Sequence, residues 1–155
     1  MDISEQEMGI FLLDTAERSD LGLWTHGVAE MTGARQTFVL IWQLEAEVNN
    51  GGFWQYAYNS SGEGAPFVVE ALNVIGAKAT AALARATLGL IGDTDWQNEA
   101  VRQAHVEALD DSVRARLDEL DQAFYLYEDN LTRLLFGFVT ANIADFPPPA
   151  GMAVQ

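Results

Sequence analysis

The chain has no cysteine, only two histidines and only four prolines in 155 residues. Without thiols, disulfides, thiolate nucleophiles and cysteine-ligated zinc are all excluded. Neither His26 nor His105 belongs to an H-E-x-x-H motif or to the E-x-x-H pair of di-iron carboxylate bundles. No metal or other cofactor is implied. Basic side chains are scarce too: eight Lys and Arg face 23 Asp and Glu, a formal net charge of -15. Nucleic acid and anionic membrane are therefore poor direct partners, while basic proteins and cationic ligands are favoured. The competing reading is that the acidity only keeps the chain dispersed. Long apolar runs are missing as well. Residues 38–42 and 134–139 are far too short to cross a bilayer. The start, Met1-Asp2-Ile3-Ser4-Glu5, lacks the basic region of a signal peptide, so the expected location is the cytoplasm.

What is present is enough apolar material for one core. The hydrophobic fraction is 49%, with eight Phe, four Trp and four Tyr, which argues against disorder. Strand-like alternation and internal repeats are lacking, and the apolar period is helical nearly throughout. Ser4 and Glu7 form a capping box ahead of Met8, Phe11, Leu12 and Thr15. Residues 19–33 read as loop with one short helix. From Ala34 a helix carries Phe38, Ile41, Trp42, Glu45 and Val48, stopping near Asn49. Pro66 suits the opening of the next helix, and Gly76 separates it from an alanine-rich successor ending near Gly92. Thr94 and Gln97 match a second capping box, predicting a helix through about Leu109. Val113, Leu117, Leu120, Phe124, Tyr127, Leu131, Leu134 and Phe138 then alternate steps of four and three. That seam predicts one long helix, or two with a break near Leu120-Asp121. The expected architecture is all-α, a single-domain bundle of about six or seven helices over residues 1–146. Residues 147–155, opening on three prolines, are expected to form an extended tail.

The least generic stretch is residues 47–62. It holds Asn49, Asn50, Gly51, Gly52, Phe53, Gln55, Tyr56 and Asn59 among four aromatics. Glycine pairs permit backbone angles or close approaches that a Cβ forbids, and dense aromatics require burial or a ligand. In a structural role, the asparagines satisfy loop backbone groups while Phe53 and Tyr56 enter the core. In a binding role, Gln55, Tyr56 and Asn59 offer polar groups to a small ligand from an apolar cleft, and an enzyme could be built there. Known catalytic patterns are missing. Ser60-Ser61-Gly62 is no nucleophile elbow, the glycine pair is neither a P-loop nor a dinucleotide fingerprint, and Glu45 and Glu47 point to different sides of a helix. Nothing in these residues argues positively for an enzyme, and a non-enzymatic protein is the expectation.

With Asn50-Gly51-Gly52-Phe53 followed by Gln55, Tyr56, Asn59 and Gly62, the chain resembles the bacterial acidic proteins grouped around a DNA-mimic protein. Ala71-Leu72, Ile75-Gly76-Ala77, Leu120-Asp121 and Phe124-Tyr125 extend the resemblance over residues 37–146. It implies an all-helical fold. It also implies an interaction protein whose carboxylates stand in for DNA phosphates and occupy the basic DNA-binding face of a helix-turn-helix regulator or other DNA-binding protein. The densest acidic region is Glu107, Asp110, Asp111, Asp118, Glu119, Asp121, Glu128 and Asp129, against only Arg114 and Arg116. On one continuous helix, Asp111, Asp118, Asp121 and Glu128 lie opposite the apolar seam. Asp118 and Asp121 are then about 4.5 Å apart along the axis, and Asp121 and Glu128 about 10.5 Å. A DNA strand offers a phosphate every ~3.4 Å. One helix is too sparse, so mimicry needs acids from several helices, including Glu5, Glu7, Asp14 and Glu17, or from a homodimer. A solvated bundle face is the competing reading of the same stripe. An oligomeric scaffold using Trp24, Trp42 or the seam is a further alternative.

Overall fold

A computed structural model describes residues 2–148. Most of the expected tail, residues 149–155, lies outside the described residues. The capping box forms as expected. Ser4 Oγ accepts from Glu7 N–H at 3.2 Å and Glu7 Oε2 accepts from Ser4 N–H at 2.8 Å, starting α1 at Glu5–Glu17. Two 3₁₀ turns, Ser19–Leu21 and Val28–Glu30, follow. Helix α2 spans Gly33–Tyr58 and is interrupted at Gly51 and Gly52. Its first half buries Phe38, Val39, Leu40, Ile41, Leu44 and Val48, so it is apolar nearly all round and must be the central element. Each large side chain fully buried there contributes about 1.5–3 kcal/mol.

The other helices wrap this axis. Helices α3 (Ala65–Val74), α5 (Glu99–Glu107), α6 (Asp111–Tyr125) and α7 (Leu131–Ala141) all pack on α2. Helix α4 (Lys78–Ile91) closes against α3 and α6, and α1 pairs with α7. Across that last contact Phe11 meets Phe136 edge to face, centroids 5.2 Å apart. The α3–α4 joint is a Schellman turn. Gly76 has φ +84°, and the amides of Gly76 and Ala77 return to the carbonyls of Asn73 and Leu72 at 3.0 and 2.8 Å. No strand occurs among the described residues, and the protein is a single all-α domain. Among these residues, no helix is long and apolar enough to cross a membrane.

Two expectations fail locally. The helix predicted from Thr94 starts only at Glu99, because Asn98 is the residue whose side chain accepts an amide of the first turn, Val101 N–H, at 3.1 Å. Side chains of Ser, Thr, Asp and Asn compete for that position, and Asn ranks with the best. The long seam is not one helix, and its break is not at Leu120-Asp121. The chain turns over residues 126–130, with Tyr127 at φ +48°, and restarts where the Asn130 side chain accepts Arg133 N–H at 3.0 Å. Leu117, Phe124 and Leu131 still face the core on both sides of the turn.

Candidate functional site

The Asn-Gly-Gly-Phe stretch is where α2 breaks and restarts. Gly52 has φ 80° and ψ -178°, a region essentially restricted to glycine. A Cβ there would collide with the Asp121 carboxylate, which sits against the glycine because it accepts Phe53 N–H at 2.8 Å. Asp121 thus caps the restarted half of α2 from another helix, satisfying a first-turn amide that has no partner within its own segment. On the near side of the break, the Tyr125 hydroxyl donates to Val48 C=O at 2.8 Å, and Asn49 Nδ2 donates to the Tyr127 hydroxyl. Glu47 then straps the two halves. Its Oε2 accepts from Gln55 Nε2 at 2.8 Å and from Asn59 Nδ2 at 3.0 Å. A Cβ at Gly51 would displace the Gln55 amide from the position in which Glu47 holds it.

This geometry turns the motif inward. Phe53 and Tyr56 are core residues, and Gln55 and Asn59 face Glu47 rather than a ligand cleft. Burial raises the Tyr56 hydroxyl above the usual tyrosine range. Asn50 is exposed, and Asn49 is exposed beside Tyr127. Beyond the motif, the backbone turns at Ser60–Gly64 over Arg102, the largest fully buried side chain. Its guanidinium donates to Trp96 C=O at 2.8 Å and Asn59 C=O at 3.2 Å. Nothing in the spacing of the sequence pointed to Arg102, Glu47 or Tyr125 as braces. Their partners lie far away along the chain.

The acidic candidates divide into two groups. Asp121 is corrected from surface acid to internal cap. It lies four residues after Leu117 and three before Phe124, on the face those residues bury, and is 9% exposed. Burial raises its carboxyl above the ordinary aspartate value, with Asp118 adding to the rise while the Phe53 amide opposes it. Asp129 is also largely engaged: its Oδ2 accepts Thr80 N–H at 2.7 Å and Thr80 Oγ1 at 2.9 Å, capping the first turn of α4. Glu107, Asp110, Asp111, Asp118, Glu119 and Glu128 remain exposed. Asp110 doubles as the α6 cap, and its bond from Ser112, with that from Val113 N–H, holds its carboxyl below the usual range. Glu107 accepts the Tyr58 hydroxyl at 2.9 Å, which raises that tyrosine. Since α6 ends at Tyr125, Glu128 is not on the same helix as Asp118, and no four-member ladder of carboxylates runs along one axis.

The charge is nonetheless almost wholly unneutralised. Of the 23 acidic residues, Glu45, Glu47, Glu63, Asp121 and Asp129 are partly or fully buried and the other 18 are exposed. Among the described residues one side-chain ion pair forms, Arg18–Asp20 at 2.6 Å. Three of the other seven cations are spent on neutral partners. Arg35 donates to the carbonyls of Leu21 and Asp145, Arg102 to those above, and Arg114 to Glu107 and Leu109 C=O while lying over the Trp54 ring, 5.3 Å from its centroid. Glu5, Glu7, Asp14 and Glu17 are all exposed on α1.

Comparison with curated proteins and with solved structures returned no match. A family model described as DMP19-like protein matches residues 29–142, which takes in the braced motif and all of α2 to α7. The chain belongs to the DMP19-like protein family.

Proposed function

We propose that this protein is an acidic interaction module of the DNA-mimic type, occupying the basic DNA-binding face of a transcriptional regulator or other DNA-binding protein. One observation carries the reading: 18 exposed carboxylates accompany a single side-chain ion pair among the described residues. Surfaces tuned for solubility commonly intersperse both signs and avoid large single-sign fields. Here the guanidinium groups of Arg35 and Arg114 are bound to carbonyls instead. Carboxylates left free in this way attract Arg and Lys as phosphates do. Family membership supports the same reading.

The test is competition. A basic helix-turn-helix protein is bound to its operator DNA, and the acidic protein is added at rising salt. Displacement that weakens as salt rises, and that falls at least about tenfold when Asp111, Asp118 and Glu119 are replaced by Lys, is the expected result. Unchanged displacement by that triple variant sinks the assignment to the α6 face. The ligand-cleft reading of Gln55, Tyr56 and Asn59 gains nothing from the geometry, since Glu47 and the core hold all three.

A further inference from the structure

A second acidic feature lies away from the outer face of α6. Between α1, α2 and the α6–α7 turn are two hollows of about 270 and 460 Å³ that share Glu45 and Thr132 as walls. The larger is the size of a small-molecule site, and the smaller adjoins it through the shared walls. Trp42 walls one hollow and Tyr127 the other, with Glu5 and Asn130 at the second. No Lys, Arg or His lines either hollow. Glu45 is half-buried and makes no ion pair; its one hydrogen bond is a long one, 3.5 Å from the Tyr127 hydroxyl. Burial raises its carboxyl above the usual glutamate range. Glu5 accepts only the neutral amide of Asn130, at 3.1 Å.

A carboxylate withdrawn from water, without a counter-ion and between aromatic walls, has the chemistry of an organic-cation site. Anions are repelled by Glu5 and Glu45. A hard divalent ion needs a larger oxygen set than these two carboxylates supply. A guanidinium or alkylammonium group, in contrast, can pair with the carboxylate and lay its weakly hydrated faces or methylenes on indole and phenol rings. We propose that this cleft binds a cation of the alkylguanidinium or alkylammonium class, with Glu45 as charge partner and Trp42 and Tyr127 as its aromatic walls. Asn49, the first asparagine of the motif, lines the same cleft and holds Tyr127 in place through its hydroxyl. The proposal stands independently of the α6 interface, because the two use different carboxylates.

The experiment is a ¹H–¹⁵N NMR titration of the full chain with n-butylguanidinium chloride at constant ionic strength. Saturable one-to-one shifts confined to residues of α1, α2, the α6–α7 turn and α7 around Leu12, Glu45, Tyr127 and Thr132 are expected, with none from the neutral isostere n-butylurea. Glu45→Gln should weaken binding about tenfold or more while remaining folded, since a charge-assisted contact is lost. Thr132→Met, which fills the shared wall without touching charge, should weaken it likewise. Capped arginine and putrescine distinguish the source of the cation. Tighter binding of the first assigns the cleft to a partner's side chain, and of the second to a free amine. Shifts that never saturate or that spread over the whole acidic surface, or equal binding by Glu45→Gln, overturn the proposal and leave the α6 reading untouched.

Discussion

Replacing Gly52 by Ala tests the brace most directly, because two independent costs meet at one atom. The backbone at φ 80° and ψ -178° lies in a region essentially closed to L residues, a strain of about 1–3 kcal/mol. The added methyl also enters the space of the Asp121 carboxylate and displaces it from Phe53 N–H. Losing a helix cap costs about 0.5–2 kcal/mol. The single variant should therefore lose about 2–4 kcal/mol, a large share of the ~5–15 kcal/mol that holds a domain folded. Asp121→Ala loses the cap alone, leaving a buried amide unpaired at about 1–3 kcal/mol. In the double variant the cap can be lost only once, while the backbone strain persists. The two single losses should then exceed the double by about 1–2 kcal/mol. Urea unfolding followed by circular dichroism measures all three, and equal m values keep the comparison within one two-state system. Additivity within about 0.5 kcal/mol would refute the claim that Gly52 and Asp121 form one device.

Other expectations follow from the same geometry. Glu47→Ala removes the strap to Gln55 and Asn59 and should cost about 1–3 kcal/mol in urea unfolding, with Glu47→Gln recovering part of it. Arg102→Lys keeps the buried charge but loses the fork that reaches Trp96 and Asn59 C=O together, and should lower stability by about 1–3 kcal/mol. Glu45, raised by burial, binds its proton more tightly folded than unfolded. Folding is accordingly favoured by this group below the ordinary glutamate value of about 4.3, and that contribution is lost as pH rises through its folded pKa. Glu45→Gln should match the parent near pH 4 and exceed it in stability at neutral pH; a difference constant with pH would reject the desolvation argument.

Much of the fold was legible because its signals are local. Capping at Ser4, Pro66 at the start of α3 and the Gly76 stop each act within a few residues of where they are read. The stop near Asn49 was readable for the same reason, since two adjacent glycines interrupt a helix locally. The turn at Tyr127 was not legible. The apolar register on the far side resumes in phase, so the steps of four and three continue as though the helix had never ended. Asp121 was misplaced for a different reason. Hydrophobic patterning assigns an aspartate to water, and only the unpartnered Phe53 amide, 68 residues earlier, explains its burial. The cleft around Glu45 was equally hidden, because α1, α2 and α7 supply its walls from three distant parts of the chain.

The motif and the acidic surface now meet on one helix. The inner side of α6 supplies Asp121 and Tyr125 to the break in α2, while its outer side carries Asp111, Asp118 and Glu119. A helix presenting carboxylates as surrogate phosphates must hold them at fixed positions, because ordering a mobile anion on binding offsets part of what its charge contributes. On the proposed reading, the glycine pair and its brace set the orientation of α6 and hence of the charges. Tyr125→Phe separates this from simple electrostatics: it deletes the hydroxyl that reaches Val48 C=O and leaves net charge, ring and exposed acids as they were. Partner affinity measured by calorimetry should fall severalfold at unchanged salt dependence, since the number of charges meeting the partner is the same. Wild-type affinity in that variant would mean that the brace serves folding alone and that α6 is aligned by its core contacts through Leu117 and Phe124.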